Sequence, residues 1–183
     1  MKTLYIIAGA NGSGKTTFAI NFSQFESLKF INADEIAKKY APNDIQKYKV
    51  KAGKEFFKEL QISLNMNDSF VIETTLSGKY LIKIIDEAQL KGFKISLVYL
   101  FLETKEENIF RVTNRVLNGG HDVPIEDIKR RYDRSRKLFQ NIYRNLVDNW
   151  TLVFNGDDNF ETVADENEIY DEILYEMFLG ETK

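Results

Sequence analysis

The chain has 183 residues, 43% of them hydrophobic and 29% charged, with a formal net charge of −3. That length suits one soluble domain and leaves little for a second. The absence of cysteine excludes disulfides and thiolate metal sites and fits a reducing, cytoplasmic setting. No basic–apolar–small signal pattern opens the chain, and no apolar run approaches ~18 residues, so no membrane segment is expected.

The first predicted strand covers residues 3–8. It runs into Gly9, Ala10, Asn11, Gly12, Ser13, Gly14, Lys15 and Thr16, a complete G-x-x-x-x-G-K-T phosphate loop. Thr17 and Phe18 continue into a predicted helix from residue 15. Strand, glycine loop and helix N-terminus together form an anion site built from backbone N–H groups. In such a loop Lys15 reaches the β- and γ-phosphates and the Thr16 hydroxyl ligates Mg²⁺, so the expected ligand is ATP with Mg²⁺, and Gly9 to Thr17 are its contacts.

A short second strand at 29–32 leads to Asp34 and a helical piece at 35–40, stopped by Ala41 and Pro42. A long helix is predicted over 44–64, with Ile45, Tyr48, Ala52, Phe56, Leu60 and Leu64 on one face. The third strand is 69–73, a helix follows at 79–91 before Gly92, and the fourth strand is 94–102. Helices at 104–117 and 124–146 precede a fifth strand at 150–154, with Trp150 and Phe154 as core residues. The alternation predicts a single α/β P-loop NTPase domain over 1–183, a five-stranded, mainly parallel sheet flanked by helices.

The final 27 residues hold ten Asp and Glu against one Lys, leaving the rest of the chain net positive. Ile169, Ile173, Met177 and Phe178 recur at helical spacing, so an acidic terminal helix at about 165–179 is expected to dock on the body. The row Lys47, Lys49, Lys51, Lys54 and Lys58 reads as a solvated helix face, because the aromatics between them have core spacing. The positive body suits a phosphorylated ligand, and nucleic acid is not expected.

Ligands in such sheets collect at the carboxyl ends of strands, which singles out Asp34 and Glu73. One carboxylate there can accept the proton of an attacking hydroxyl, and a second can position the acceptor or hold Mg²⁺ through water. Asp34 also suits a helix N-cap, and Glu73 a solvated strand end. Arg111, Arg115, Arg130, Arg131, Arg134 and Arg136 lie on two predicted helices joined through Asn118, Gly119 and Gly120. This segment, about 111–136, reads as a lid that brings arginines onto a transferring phosphate. Ion pairing of these arginines with the acidic tail is the alternative. His121, the sole histidine, reads as a hinge contact, and the turn Asn155, Gly156, Asp157 occupies the place where adenine lies in kinases of this shape.

The phosphate loop, Ile31-Asn32-Ala33-Asp34, Ile72-Glu73-Thr74-Thr75, and Arg115 with Gly119-Gly120-His121, Val123-Pro124 and Arg131-Tyr132 through Arg134-Ser135 resemble the zeta-toxin family of P-loop kinases, in particular its compact chromosomal members. The resemblance implies ATP-dependent transfer to a small-molecule hydroxyl such as that of UDP-N-acetylglucosamine. By position it implies Asp34 as the base, Glu73 and Thr75 on the substrate side, and Arg115 and Arg131 as phosphate clamps, with Arg134 a further candidate. A protein antitoxin is the implied partner. The chain is shorter than the toxins of that family and lacks much of their sugar-nucleotide insertion. An ATPase switch gating a protein partner and a nucleic-acid 5′-end kinase are the alternative functions.

Overall fold

A computed structural model describes residues 1–41, 45–156 and 159–180. Its strands are β1 (Thr3–Ala8), β2 (Lys29–Ile31), β3 (Phe70–Thr74), β4 (Lys94–Phe101), β5 (Asn149–Phe154) and β6 (Glu161–Asp165). Its helices are α1 (Lys15–Phe25), α2 (Ala33–Tyr40), α3 (Ile45–Met66), α4 (Tyr80–Leu90), α5 (Lys105–Leu117), α6 (Ile125–Asn141) and α7 (Glu172–Gly180). The strands lie in the order β2-β3-β1-β4-β5-β6. The first five are parallel, and β6 pairs antiparallel to β5. The chain crosses over at β1, between β3 and β4, so the loop after β1 opens at the switch point where such sheets bind ligands.

Period-two alternation divides the strands between two helical layers. Leu4, Ile6 and Ala8 of β1 and Ile95, Leu97, Tyr99 and Phe101 of β4 face the larger core, shared with α2, α3, α4, α6 and α7. Ile7 and Leu100 face the opposite side, where Ala19, Phe18 and Phe22 of α1 cover the sheet. A separate small cluster of Val112, Val123 and Ile128 joins α5 to α6.

Three expectations are corrected. The sheet has six strands rather than five, because residues 161–165 form β6 along the free edge of β5. The terminal helix starts at Glu172, not 165. Ile169 forms a bridge to Ala164 instead of a helical turn, and Ile173 is 82% exposed, so the helix docks through buried Phe178 with Leu174, Met177 and Leu179 packed beside it. The helix predicted to reach 146 ends at Asn141 and continues as a 3₁₀ turn at Tyr143–Asn145, which buries Tyr143. The Pro42 stop, the Ile45 side chain and Asp157 lie outside what the structure describes.

Candidate active site

Left-handed backbone builds the phosphate loop. Gly9, Gly12 and Gly14 have φ of 141°, 86° and 86°, a region that side-chain-bearing residues rarely enter. Space enforces the same choice: a Cβ would come 2.1 Å from Leu100 O at Gly9, 2.5 Å from Asn108 O at Gly12 and 2.1 Å from Asn155 Nδ2 at Gly14. Asn108 Nδ2 donates to Asn11 O at 2.6 Å, and Asn155 Nδ2 donates to Ser13 O at 3.0 Å, so buried amides clamp the loop from outside. Ser13 Oγ is buried with no partner among the described residues, a polar atom suited to a ligand.

Lys15 opens α1 nearly buried, its Nζ donating to Ala10 O at 2.7 Å and lying 4.0 Å from Glu73 Oε1. Burial pulls the ammonium below the usual lysine range, while Glu73 and Asp34 oppose that shift. Thr16 Oγ1 donates to Glu73 Oε1 at 3.2 Å, and Asn32 Nδ2 donates to Glu73 Oε2. Burial pushes the Glu73 carboxyl above its ordinary range, against the pull of Lys15, Thr16 and Asn32. Glu73 is therefore no solvated strand end.

Asp34 is not the helix cap. Asn32 is: its Oδ1 accepts from the backbone N–H of Asp34 at 2.7 Å and of Glu35 at 3.2 Å, which frees the Asp34 carboxylate for the cleft. An Asn closing a strand directly before a helix was the available signal. Asp34 Oδ2 lies 3.4 Å from His121 Nε2.

Of the six arginines, Arg111, Arg115, Arg130 and Arg131 line the cleft. Arg131 Nη1 donates to Asn11 Oδ1 at 3.1 Å, with Asp127 holding Nη2 at 3.3 Å. Arg115 Nη2 donates to His121 O at 2.9 Å, and its Nε is buried without a partner among the described residues. Gly120 makes room for this, since a Cβ there would come 2.5 Å from Arg115 Cγ. Arg111 Nη2 spans Glu107 at 3.0 Å and Asn155 O at 2.9 Å. Arg130 lines the neighbouring cavity but is paired with Asp127 at 2.8 Å and largely exposed. Arg134 is exposed and lines none of the cavities described here, so it does not join the cluster. Arg136 is 1% exposed and donates to Leu102 O and Phe178 O, a core residue rather than a lid cation.

Two cavities meet over this cluster. One, about 330 Å³, is lined by the phosphate loop with Lys15, Thr16, Thr17, Arg111 and Arg115. The other, about 370 Å³, is lined by Lys49, Ser77, Tyr80, Val123, Arg130 and Arg131 among others. Asn11, Asn32, Asp34, Glu73, Thr75 and His121 line both. Lys49, one of the lysines read as a solvated face, thus turns toward the second cavity. Ala10 is buried behind the loop and contributes its carbonyl to Lys15.

A parallel sheet with the glycine loop at its switch point, opening into α1, is the fold of the P-loop kinases. The chain belongs to the Zeta toxin family, whose model matches residues 1–172. An uncharacterized protein of Haemophilus influenzae is 32% identical over 124 residues, 68% of this chain and 88% of that one. The solved AvrRxo1-ORF1:AvrRxo1-ORF2 structure with ATP aligns over 97% of this chain at a TM-score of 0.74 and 18% identity. This chain spans 63% of the length of that one. The structure of the PezAT chromosomal toxin–antitoxin system of Streptococcus pneumoniae aligns over the whole chain and 80% of its own, with TM-score 0.70 and 19% identity. No described helix is long and apolar enough to cross a membrane.

Proposed function

We propose that the protein is an ATP-dependent phosphotransferase that phosphorylates a hydroxyl of a small molecule, with a nucleotide sugar such as UDP-N-acetylglucosamine as the acceptor to test first. The observation that carries this is the seam between the two cavities, where Asp34, Glu73 and Thr75 line both. A donor bound in the phosphate loop and an acceptor in the second cavity would meet at those side chains.

In the transfer, the acceptor oxygen bonds to the γ-phosphorus, the bond from that phosphorus to the β–γ bridging oxygen breaks, and ADP leaves. Asp34 takes the hydroxyl proton. Glu73 and Thr75 orient the acceptor, Lys15 draws charge from the β- and γ-phosphates, and Arg115 and Arg131 neutralise the equatorial oxygens. The unpaired Arg115 Nε and Ser13 Oγ are donors suited to phosphate. The small α5–α6 cluster, separate from the main core, suits a lid that moves as a unit.

The described residues hold no group of three His, Cys, Asp or Glu for a metal. The Thr16 hydroxyl with the Glu73 carboxylate fits a Mg²⁺ that takes its other ligands from phosphates and water. When bound there, Mg²⁺ supplies charge neutralisation of the triphosphate. The family and the PezAT likeness support a protein antitoxin as partner, and a cytoplasmic setting accords with that chemistry.

Incubation with γ-³²P-ATP and UDP-N-acetylglucosamine, nucleosides or oligonucleotides tests the function. Label on a small-molecule hydroxyl supports it. Label released only as free phosphate with every acceptor overturns it in favour of an ATPase switch, and label on oligonucleotide 5′ ends in favour of a nucleic-acid kinase.

A further inference from the structure

His121 lies in the α5–α6 connection, yet its ring reaches a residue of α2. Its side chain is only 15% exposed, with Nε2 3.4 Å from Asp34 Oδ2. The backbone of the same residue accepts from Arg115 Nη2 at 2.9 Å, and that guanidinium nitrogen also donates to Nε2 at 3.3 Å. One loop residue therefore touches the carboxylate assigned to proton removal and the cation assigned to the phosphate. Gly119, with φ of 83°, lets the chain turn into this position, and Gly120 packs against Arg115.

We infer that His121 is a positioning residue for the transfer: its Nε2 and its carbonyl both accept from Arg115 Nη2 and so aim the phosphate clamp, at a point where the same Nε2 lies beside Oδ2 of Asp34. This role rests on the phosphotransferase function proposed above. A guanidinium held by two acceptors presents its remaining N–H groups in a defined direction, and neutralisation of a transferring phosphate depends steeply on that geometry.

Protonation of Nε2 would remove an acceptor of Arg115, pair the ring with Asp34 and weaken that carboxylate as a proton acceptor. The charged groups acting on His121 are Arg115 from α5, Asp34 and Lys38 from α2, and Lys49 from α3. Burial first, then Arg115, hold it below the ordinary histidine range, while Asp34 alone pulls upward. The neutral form, with Nε2 able to accept from Arg115, thus prevails at physiological pH.

His121 is the sole histidine, so one imidazole signal reports on it in NMR of the full chain, with no acceptor needed. The wild type should show the Nδ1–H tautomer, and Asp34→Asn should move the titration midpoint to lower pH. An unmoved midpoint overturns the contact. In γ-³²P transfer to UDP-N-acetylglucosamine, His121→Ala should lower kcat about tenfold to a hundredfold. The KM for ATP should stay within about twofold. His121→Gln, whose amide oxygen places an acceptor near the Nε2 position, should recover most of the rate and lack the acid-side fall of kcat at the His121 midpoint. Equal loss in both variants, with unchanged pH profiles, reduces His121 to loop packing. No transfer by the wild type overturns the underlying function, while the NMR midpoint tests the contact separately.

Discussion

Arg131 and Asn11 tie α6 to the phosphate loop: the guanidinium Nη1 donates to the amide Oδ1 at 3.1 Å across 120 positions of chain. The same Asn11 receives Asn108 of α5 at its carbonyl, so a single loop residue bonds to both helices of the proposed lid. Arg134 and Arg136, on the same helix, point elsewhere. Substitution should therefore give three different outcomes from three arginines. Arg131→Ala should cut transfer about 10³-fold with little change in melting. Arg136→Ala should cost roughly 3 kcal/mol, since it opens the core and leaves two carbonyls unpaired. Arg134→Ala should stay within about 0.5 kcal/mol. Thermal melts beside transfer rates separate them, and a rate defect in Arg134→Ala would restore it to the site.

Asp34→Asn keeps the volume of the side chain and, because Asn32 caps α2, should leave that helix intact. Transfer should fall by about 10²- to 10⁴-fold. ATP affinity by calorimetry should stay within about twofold. A variant that transfers at the wild-type rate would remove Asp34 as the base.

Glycine substitutions should split by location. Gly9→Ala drives a methyl against a backbone carbonyl at a φ that disfavours any side chain, so the protein should melt well below the wild type and bind ATP poorly. Gly53 sits inside α3 with no atom near its missing Cβ. Gly53→Ala should therefore stabilise by about 0.5–1 kcal/mol. The matching rise in Tm is about 1–4 °C. A drop at Gly53 would mean that the α3 backbone there is not helical.

Glu73 carries a pH signature. Its native carboxyl titrates above the unfolded value, chiefly through burial, so the native protein binds that proton more tightly than the unfolded chain does. The resulting stability is full below about pH 4.3 and is lost as pH rises through the native value. Relative to Glu73→Gln, the wild type should thus lose Tm as pH climbs from about 4 to 7. Parallel curves for the two proteins would contradict the burial account.

The candidate site was largely legible because its pattern is local: eight consecutive residues form the loop, and Asp34 and Glu73 stand at strand ends. What escaped depends on distant partners. Residues 161–165 have two exposed and two buried positions, too few for alternation to announce β6, and the apolar spacing from Ile169 to Phe178 carried the helix back beyond its start at Glu172. Asn108 and Asn155 clamp the loop from 97 and 142 positions away, and no spacing rule encodes such pairs. Arg136 looked like its neighbours because sequence shows charge but not which way the helix turns.

The partition of the cleft into two cavities has an evolutionary consequence. Lys49, Ser77, Tyr80, Val123 and Arg130 line the second cavity and none lines the first. With the acceptor in the second cavity, as proposed, mutations among them would exchange one acceptor for another while the phosphate loop stays untouched. The six shared wall residues could not drift so freely, because each would answer to both substrates at once. Lineages built on this scaffold should then vary on one side of the wall and stay uniform along it.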